Sequence, residues 1–122
     1  MERQDQVSYL ANIYRIVLVD GQSDRREEKA FDVIAREMGA GYFEVKEAKE
    51  LAAADQYDFR PVSRWSDQIR NLEDMLLVAH LNGAIHPEEK SLVLAAAGEA
   101  GINNRQFDVI KAEVKQRSDK LS

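Results

Sequence analysis

The sequence predicts an all-α fold, a single-domain helical bundle made of two pseudo-symmetric three-helix repeats. Three observations predict it. Apolar residues recur at three- and four-residue steps, as one buried helical face requires, and no segment alternates every second residue as a half-buried strand does. The chain also matches itself, without a gap, at an offset of 62 residues. Val19-Asp20-Gly21 falls on Leu81-Asn82-Gly83, Glu27 on Glu89 and Gly39 on Gly101, while Phe31, Ile34, Ala35 and Met38 fall on Val93, Ala96, Ala97 and Ala100. Helix-ending glycines, an opening carboxylate and an apolar stripe all keep register, so the repeated unit is structural and not a compositional echo.

Each element follows from local chemistry. A first helix is expected from about Asp5 to Asp20 through Val7, Leu10, Ala11, Ile13, Tyr14, Val17 and Leu18, with Gly21 stopping it. Asp24 and Glu27 have the side chains of a capping box, which starts a second helix running to Met38. Gly39 ends that helix in the left-handed conformation that glycine adopts at least cost. A third runs from about Tyr42 to Ala54, packed through Phe43, Val45, Ala48, Leu51 and Ala52. The linker, residues 55–65, contains Pro61, which disfavours helix at Arg60; its aromatics Tyr57, Phe59 and Trp65 are expected to pin it to the core.

The second repeat opens with a helix from about Ser66 to Leu81 through Ile69, Leu72, Met75, Leu76 and Ala79. After Asn82-Gly83, His86-Pro87-Glu88-Glu89 starts the next with proline in the first turn, where its missing N–H is harmless. Gly101 ends it, and Asn103 with Gln106 caps the last helix, in positions matching Gly41 and Glu44. The whole chain, 1–122, reads as one domain with repeats at 5–54 and 66–117.

Composition narrows the function. A chain of 122 residues that is 44% hydrophobic can bury one core but not two comfortable ones. Its net charge of -5 argues against nucleic acid, whose phosphates need a basic face; only Lys111, Lys115, Arg117 and Lys120 form a basic cluster, and they suit the negative end of the last helix. With no cysteine, disulfides, thiolate catalysis and cysteine zinc sites fall away. The longest apolar run, Met75 to Ala79, is far short of the roughly 20 residues that span a bilayer, and the N-terminus has no apolar signal core. A soluble, cytoplasmic chain is expected.

The residues that could carry chemistry converge on one corner. Asp20 ends a helix, where the dipole disfavours a carboxylate by roughly 0.3–1 kcal/mol, and Glu27 and Glu28 open the next one after a short turn. Glu27 shares a helical phase with Phe31, Ile34 and Met38, and Glu89 shares one with Val93, Ala96 and Ala100, so both point to the interior edge. Each is either an N3 capping glutamate or a ligand. Capping does not explain Asp20, and an all-oxygen set suits a hard cation, Ca²⁺ or Mg²⁺. Asn82 and His86 stand where the first repeat has Asp20 and Asp24, which makes the second corner the weaker. The candidate metal residues are therefore Asp20, Glu27, Glu28, Asn82 and Glu89. The segment is no EF-hand, because Gly21 comes second where the loop needs its glycine sixth. His80 is expected to be a partly buried packing residue and His86 an imperfect cap. No nucleophile-histidine-acid set, phosphate-cradling glycine loop or histidine metal helix is present, so an enzyme is not expected.

The two helix-Asp/Asn-Gly-turn-helix units, Val19-Asp20-Gly21 with Glu27-Glu28 and Asn82-Gly83 with Glu88-Glu89, resemble the TerB-like family of tellurite-resistance proteins, whose domains also occur beside J-domains in membrane-anchored co-chaperones. The resemblance spans about Val7 to Val114. It implies an all-helical, pseudo-twofold domain with an acidic surface that binds divalent metal, Asp20 matching the family's acidic position and Glu27, Glu28, Glu88 and Glu89 its opening glutamates. Asn82 departs from the aspartate, which argues against a fully symmetric pair of metal sites. The function expected is a non-enzymatic binding or scaffolding module in bacterial stress response with a protein partner. Its alternative is a metal-independent helical adaptor, such as a co-chaperone regulatory domain; a metal-dependent hydrolase is the weakest reading.

Overall fold

The structure, a computed structural model, describes residues 1–19, 25–81 and 86–121. These form six helices: α1 (Arg3–Leu18), α2 (Arg25–Glu37), α3 (Tyr42–Ala52), α4 (Trp65–Leu81), α5 (Pro87–Ala100) and α6 (Asn104–Leu121). No strand occurs among the described residues. The fold is all-α, as expected, and the helices begin 62 residues apart in pairs, at 3 and 65, 25 and 87, 42 and 104.

Two helices form the centre. α1 packs on α2, α3 and α4, while α4 packs on α1, α2, α5 and α6. Seven consecutive residues of α1, Val7 to Ile13, are buried, as are five of α4, Met75 to Ala79. The sequence gives each of these helices a single apolar face; they are instead covered all round, so polar Ser8, Tyr9, Asn12 and Asn71 are buried as well. A helix enclosed on every side must find partners for such groups within the protein. α2 keeps the amphipathic pattern, burying Glu27, Phe31, Ile34 and Ala35.

The glycine-closed ends of α2 and α5 and the cap of α6 are built as expected. Gly39 (φ 74°) and Gly101 (φ 70°) are left-handed. At the first, Ala40 N–H donates to the Ala35 carbonyl and Gly39 N–H to Arg36; at the second, Ile102 N–H donates to Ala97 and Gly101 N–H to Gly98. Both are Schellman closures, which satisfy carbonyls that the helix leaves open. The carbonyls of Met38 and Ala100, also 62 residues apart, each accept from a side chain at the start of a central helix, Gln6 Nε2 at 3.3 Å and Trp65 Nε1 at 2.9 Å. α6 opens with a reciprocal cap, Asn103 Oδ1 accepting from Gln106 N–H and Gln106 Oε1 from Asn103 N–H, both at 2.8 Å.

Three expectations need correction. Phe43, expected in the core, is 72% exposed; five residues before buried Ala48, it lies about 140° round the helix from that face. His80 is exposed, because Leu76, Leu77 and Ala79 supply the buried surface of that turn. Trp65 is 63% exposed and donates its indole N–H to the Ala100 carbonyl, whereas Tyr57 and Phe59 do pack on the core. Helix limits also shift: α1 runs from Arg3 to Leu18, and α3 stops at Ala52.

Candidate functional site

Glu27 and Glu89 are the third residues of α2 and α5, and both are completely buried. Their phase brings this about: each sits one helical turn before the residue that fills the core, Phe31 and Val93 respectively. A carboxylate in the first turn of a helix faces unpaired N–H groups and the positive end of the dipole. That placement offsets part of the several kcal/mol that desolvating an ion costs. Neither side chain lacks a partner. His86, the residue before α5, makes no side-chain cap, so the capping role there does not fall to it.

Glu28 is placed differently. It is half-buried and accepts from the Tyr14 hydroxyl at 2.8 Å. Tyr14 stacks edge-on against Phe31 with centroids 4.8 Å apart, and the Lys49 ammonium lies 5.1 Å from its ring. Burial, helped by the bond to Glu28, pushes the Tyr14 hydroxyl up to about 12. Glu88, the counterpart of the residue before Glu27, accepts from Arg15 Nε at 2.7 Å, and the same guanidinium donates to the Ala52 and Ala54 carbonyls at the end of α3. Two of the opening glutamates are thus committed inside the fold, one to Tyr14 and one to Arg15.

Of the sequence-predicted set, the structure places Glu27 and Glu89 in the interior and Glu28 against Tyr14. Asp20 and Asn82, with Asp24, lie outside the described residues. Among the described residues, no three histidine, aspartate or glutamate side chains are grouped so as to hold a metal ion.

A second polar cluster escaped the sequence reading. Asn12, fully buried on α1, donates to Asn71 Oδ1 at 2.9 Å and to the Arg60 carbonyl at 2.7 Å, and accepts from Tyr57 Oη at 2.8 Å and Arg60 N–H at 2.9 Å. Asn71 donates on to the Tyr9 carbonyl at 3.1 Å, and the Tyr9 hydroxyl makes a short bond to Asp74. Burial raises the Asp74 carboxyl above its ordinary value, against the pull of Tyr9, Arg117 and Arg70. Tyr9 is raised too, by burial first and then by the Asp74 charge and hydrogen bond. The signal was there: Asn12 interrupts the run Leu10-Ala11-Asn12-Ile13, and a polar residue inside an apolar run needs a buried partner. No helix among the described residues is long and apolar enough to cross a membrane. Comparison with known protein families, curated proteins and solved structures found no match for this chain.

Proposed function

We propose that the chain is a non-enzymatic, TerB-like binding and scaffolding module of bacterial stress response, of the tellurite-resistance type, acting in the cytoplasm and taking up a divalent cation, Ca²⁺ or Mg²⁺, at the acidic corner of Asp20, Glu27 and Glu28. The observation that carries this is the pair of completely buried carboxylates, Glu27 and Glu89, at matched positions 62 residues apart. Each carboxylate sits in the first turn of its helix, where backbone N–H groups and the positive end of the dipole favour a negative charge, so both repeats hold an anionic oxygen at the same inward position. In sequence, Asp20 precedes Glu27 by seven residues as Asn82 precedes Glu89, and a carboxylate where the second repeat has an amide makes the first repeat the stronger candidate.

The module is a duplicated unit, with repeats at 5–54 and 66–117. Supporting this are the paired helix starts and the two Schellman closures. So is an exchange of partners across the central helices: Tyr9 meets Asp74 while Asn12 meets Asn71, and adding 62 to Tyr9 and Asn12 gives Asn71 and Asp74. Such reciprocal pairing is the mark of an isologous, two-fold contact.

Calorimetric titration of the purified chain with Ca²⁺, Mg²⁺, Mn²⁺ and Zn²⁺ tests the cation site. Saturable heat with a hard cation, lost in Glu27→Gln, is expected; no heat with any ion removes the metal from the reading. The metal-independent adaptor would then stand. It is favoured by Tyr42 and Phe43, 74% and 72% exposed and stacked edge-to-face at 5.4 Å, aromatics of a kind that commonly anchor protein partners.

A further inference from the structure

Asn12 anchors the middle of the connector between α3 and α4. Asn12 donates to the Arg60 carbonyl and accepts from the Arg60 N–H, the double bond pattern that a neighbouring strand would make, and holds the Tyr57 hydroxyl as well. Beyond it Val62 is buried, and Ser63 is tied to Asp5 through its backbone and hydroxyl. The connector therefore forms a preset wall. Between it and the end of α3 lies an open cleft of about 510 Å³, within the size range of small-molecule sites.

Its lining joins an apolar side to one cation. Leu51, Ala54 and Phe59 supply the apolar surface, and Ser8 and Arg60 the polar end. Arg60 is half-buried, and its Nε donates to Ser8 Oγ at 3.3 Å. Among the described residues, no carboxylate oxygen comes within the 4.0 Å of an ion pair with it. Asp58 borders the cleft but is exposed. The nearby Arg15, by contrast, is already neutralised by Glu88 at 2.7 Å. A half-buried guanidinium with its terminal nitrogens open is suited to a bidentate anion, whose planar oxygens match its fork.

We propose that this cleft binds a small organic carboxylate, its apolar body against Leu51 and Phe59 and its carboxylate on the Arg60 guanidinium beside Ser8. The proposal does not depend on the cation reading. Because Asn12 holds Arg60 by its backbone, the Arg60 side chain can be changed without releasing the connector.

The test is a titration of ¹⁵N-labelled protein with benzoate, hexanoate and indole-3-acetate, and with benzamide as the uncharged control, at constant ionic strength. At least one carboxylate should shift the amides of Ser8 and residues 51–60 saturably, while benzamide leaves them unmoved. Arg60→Gln should weaken that binding tenfold or more with the rest of the spectrum unchanged. Gln56→Glu, a substitution at an exposed position on the cleft, should weaken it too by setting a competing carboxylate there. The proposal is overturned if none of the three carboxylates gives a saturable shift at these residues, if benzamide binds as well as benzoate, or if Arg60→Gln responds like the wild type.

Discussion

At the level of single residues, the buried seam between α1 and α4 uses one carboxylate and two amides for similar tasks. Asn12 ties together the connector and Asn71, and truncating it would strand the Arg60 N–H, the Arg60 carbonyl and the Tyr57 hydroxyl. Each buried group left without a partner costs roughly 1–3 kcal/mol, so Asn12→Ala should destabilise the protein by about 3 kcal/mol in urea unfolding. Asp74 has a measurable pH signature. Its carboxyl is raised in the folded protein, chiefly by burial, so the native state holds its proton more tightly than the unfolded chain does. The stability this gives is complete below the ordinary carboxylate range and is lost as pH rises through the folded value. Asp74→Asn keeps an acceptor for Tyr9 but not the titration. The stability of the wild type relative to Asp74→Asn should therefore fall as pH rises above the ordinary carboxylate range, and a constant or rising difference would refute the role given to burial. Little of this seam was legible in the sequence, because a helical period shows which residues share a face but not that a helix is enclosed on every face.

The helices themselves are read from their ends. Gly39 and Gly101 close α2 and α5 with the same pair of hydrogen bonds, and a side chain added at either would meet nothing within 4 Å. The penalty for alanine there is the left-handed backbone, about 1–2 kcal/mol. Gly39→Ala and Gly101→Ala should each lower stability by about that amount and to a similar extent in chemical denaturation. Unequal losses would show that the two closures carry different loads. The reciprocal cap of Asn103 and Gln106 was equally plain from spacing, since a cap is a contact between residues three apart. Phe43 was misplaced for a related reason. An aromatic next to the small residues of a short helix suggests core, yet alanines at 48 and 52 are what allow α3 to sit on α1, and they leave Phe43 outside.

Across the whole molecule, the duplication we propose makes the halves depend on each other. α1 and α4 bury residues on all sides, and α2 of the first half packs on α4 of the second. A fragment of either half would expose a face that its sibling covers, so neither 1–62 nor 63–122 should melt cooperatively by circular dichroism. An independently stable half would contradict this. The candidate cation site was legible in part: the inward phase of Glu27 and Glu89 could be read from sequence, but the commitment of Glu28 to Tyr14 and of Glu88 to Arg15 could not, since those partners lie 14 and 73 residues away. Asp20, the residue that distinguishes a cation site from a pair of caps, gives the sharpest test. Thermal melts of the wild type and Asp20→Asn should be compared in chelator and in millimolar Ca²⁺ or Mg²⁺ at constant ionic strength. In chelator, the variant should equal or slightly exceed the wild type, because a charge leaves the unfavourable end of the helix dipole. With an ion at a hundredfold excess over its dissociation constant, the wild type should gain about 2.7 kcal/mol and the variant much less; an equal response of the two proteins would contradict the cation site.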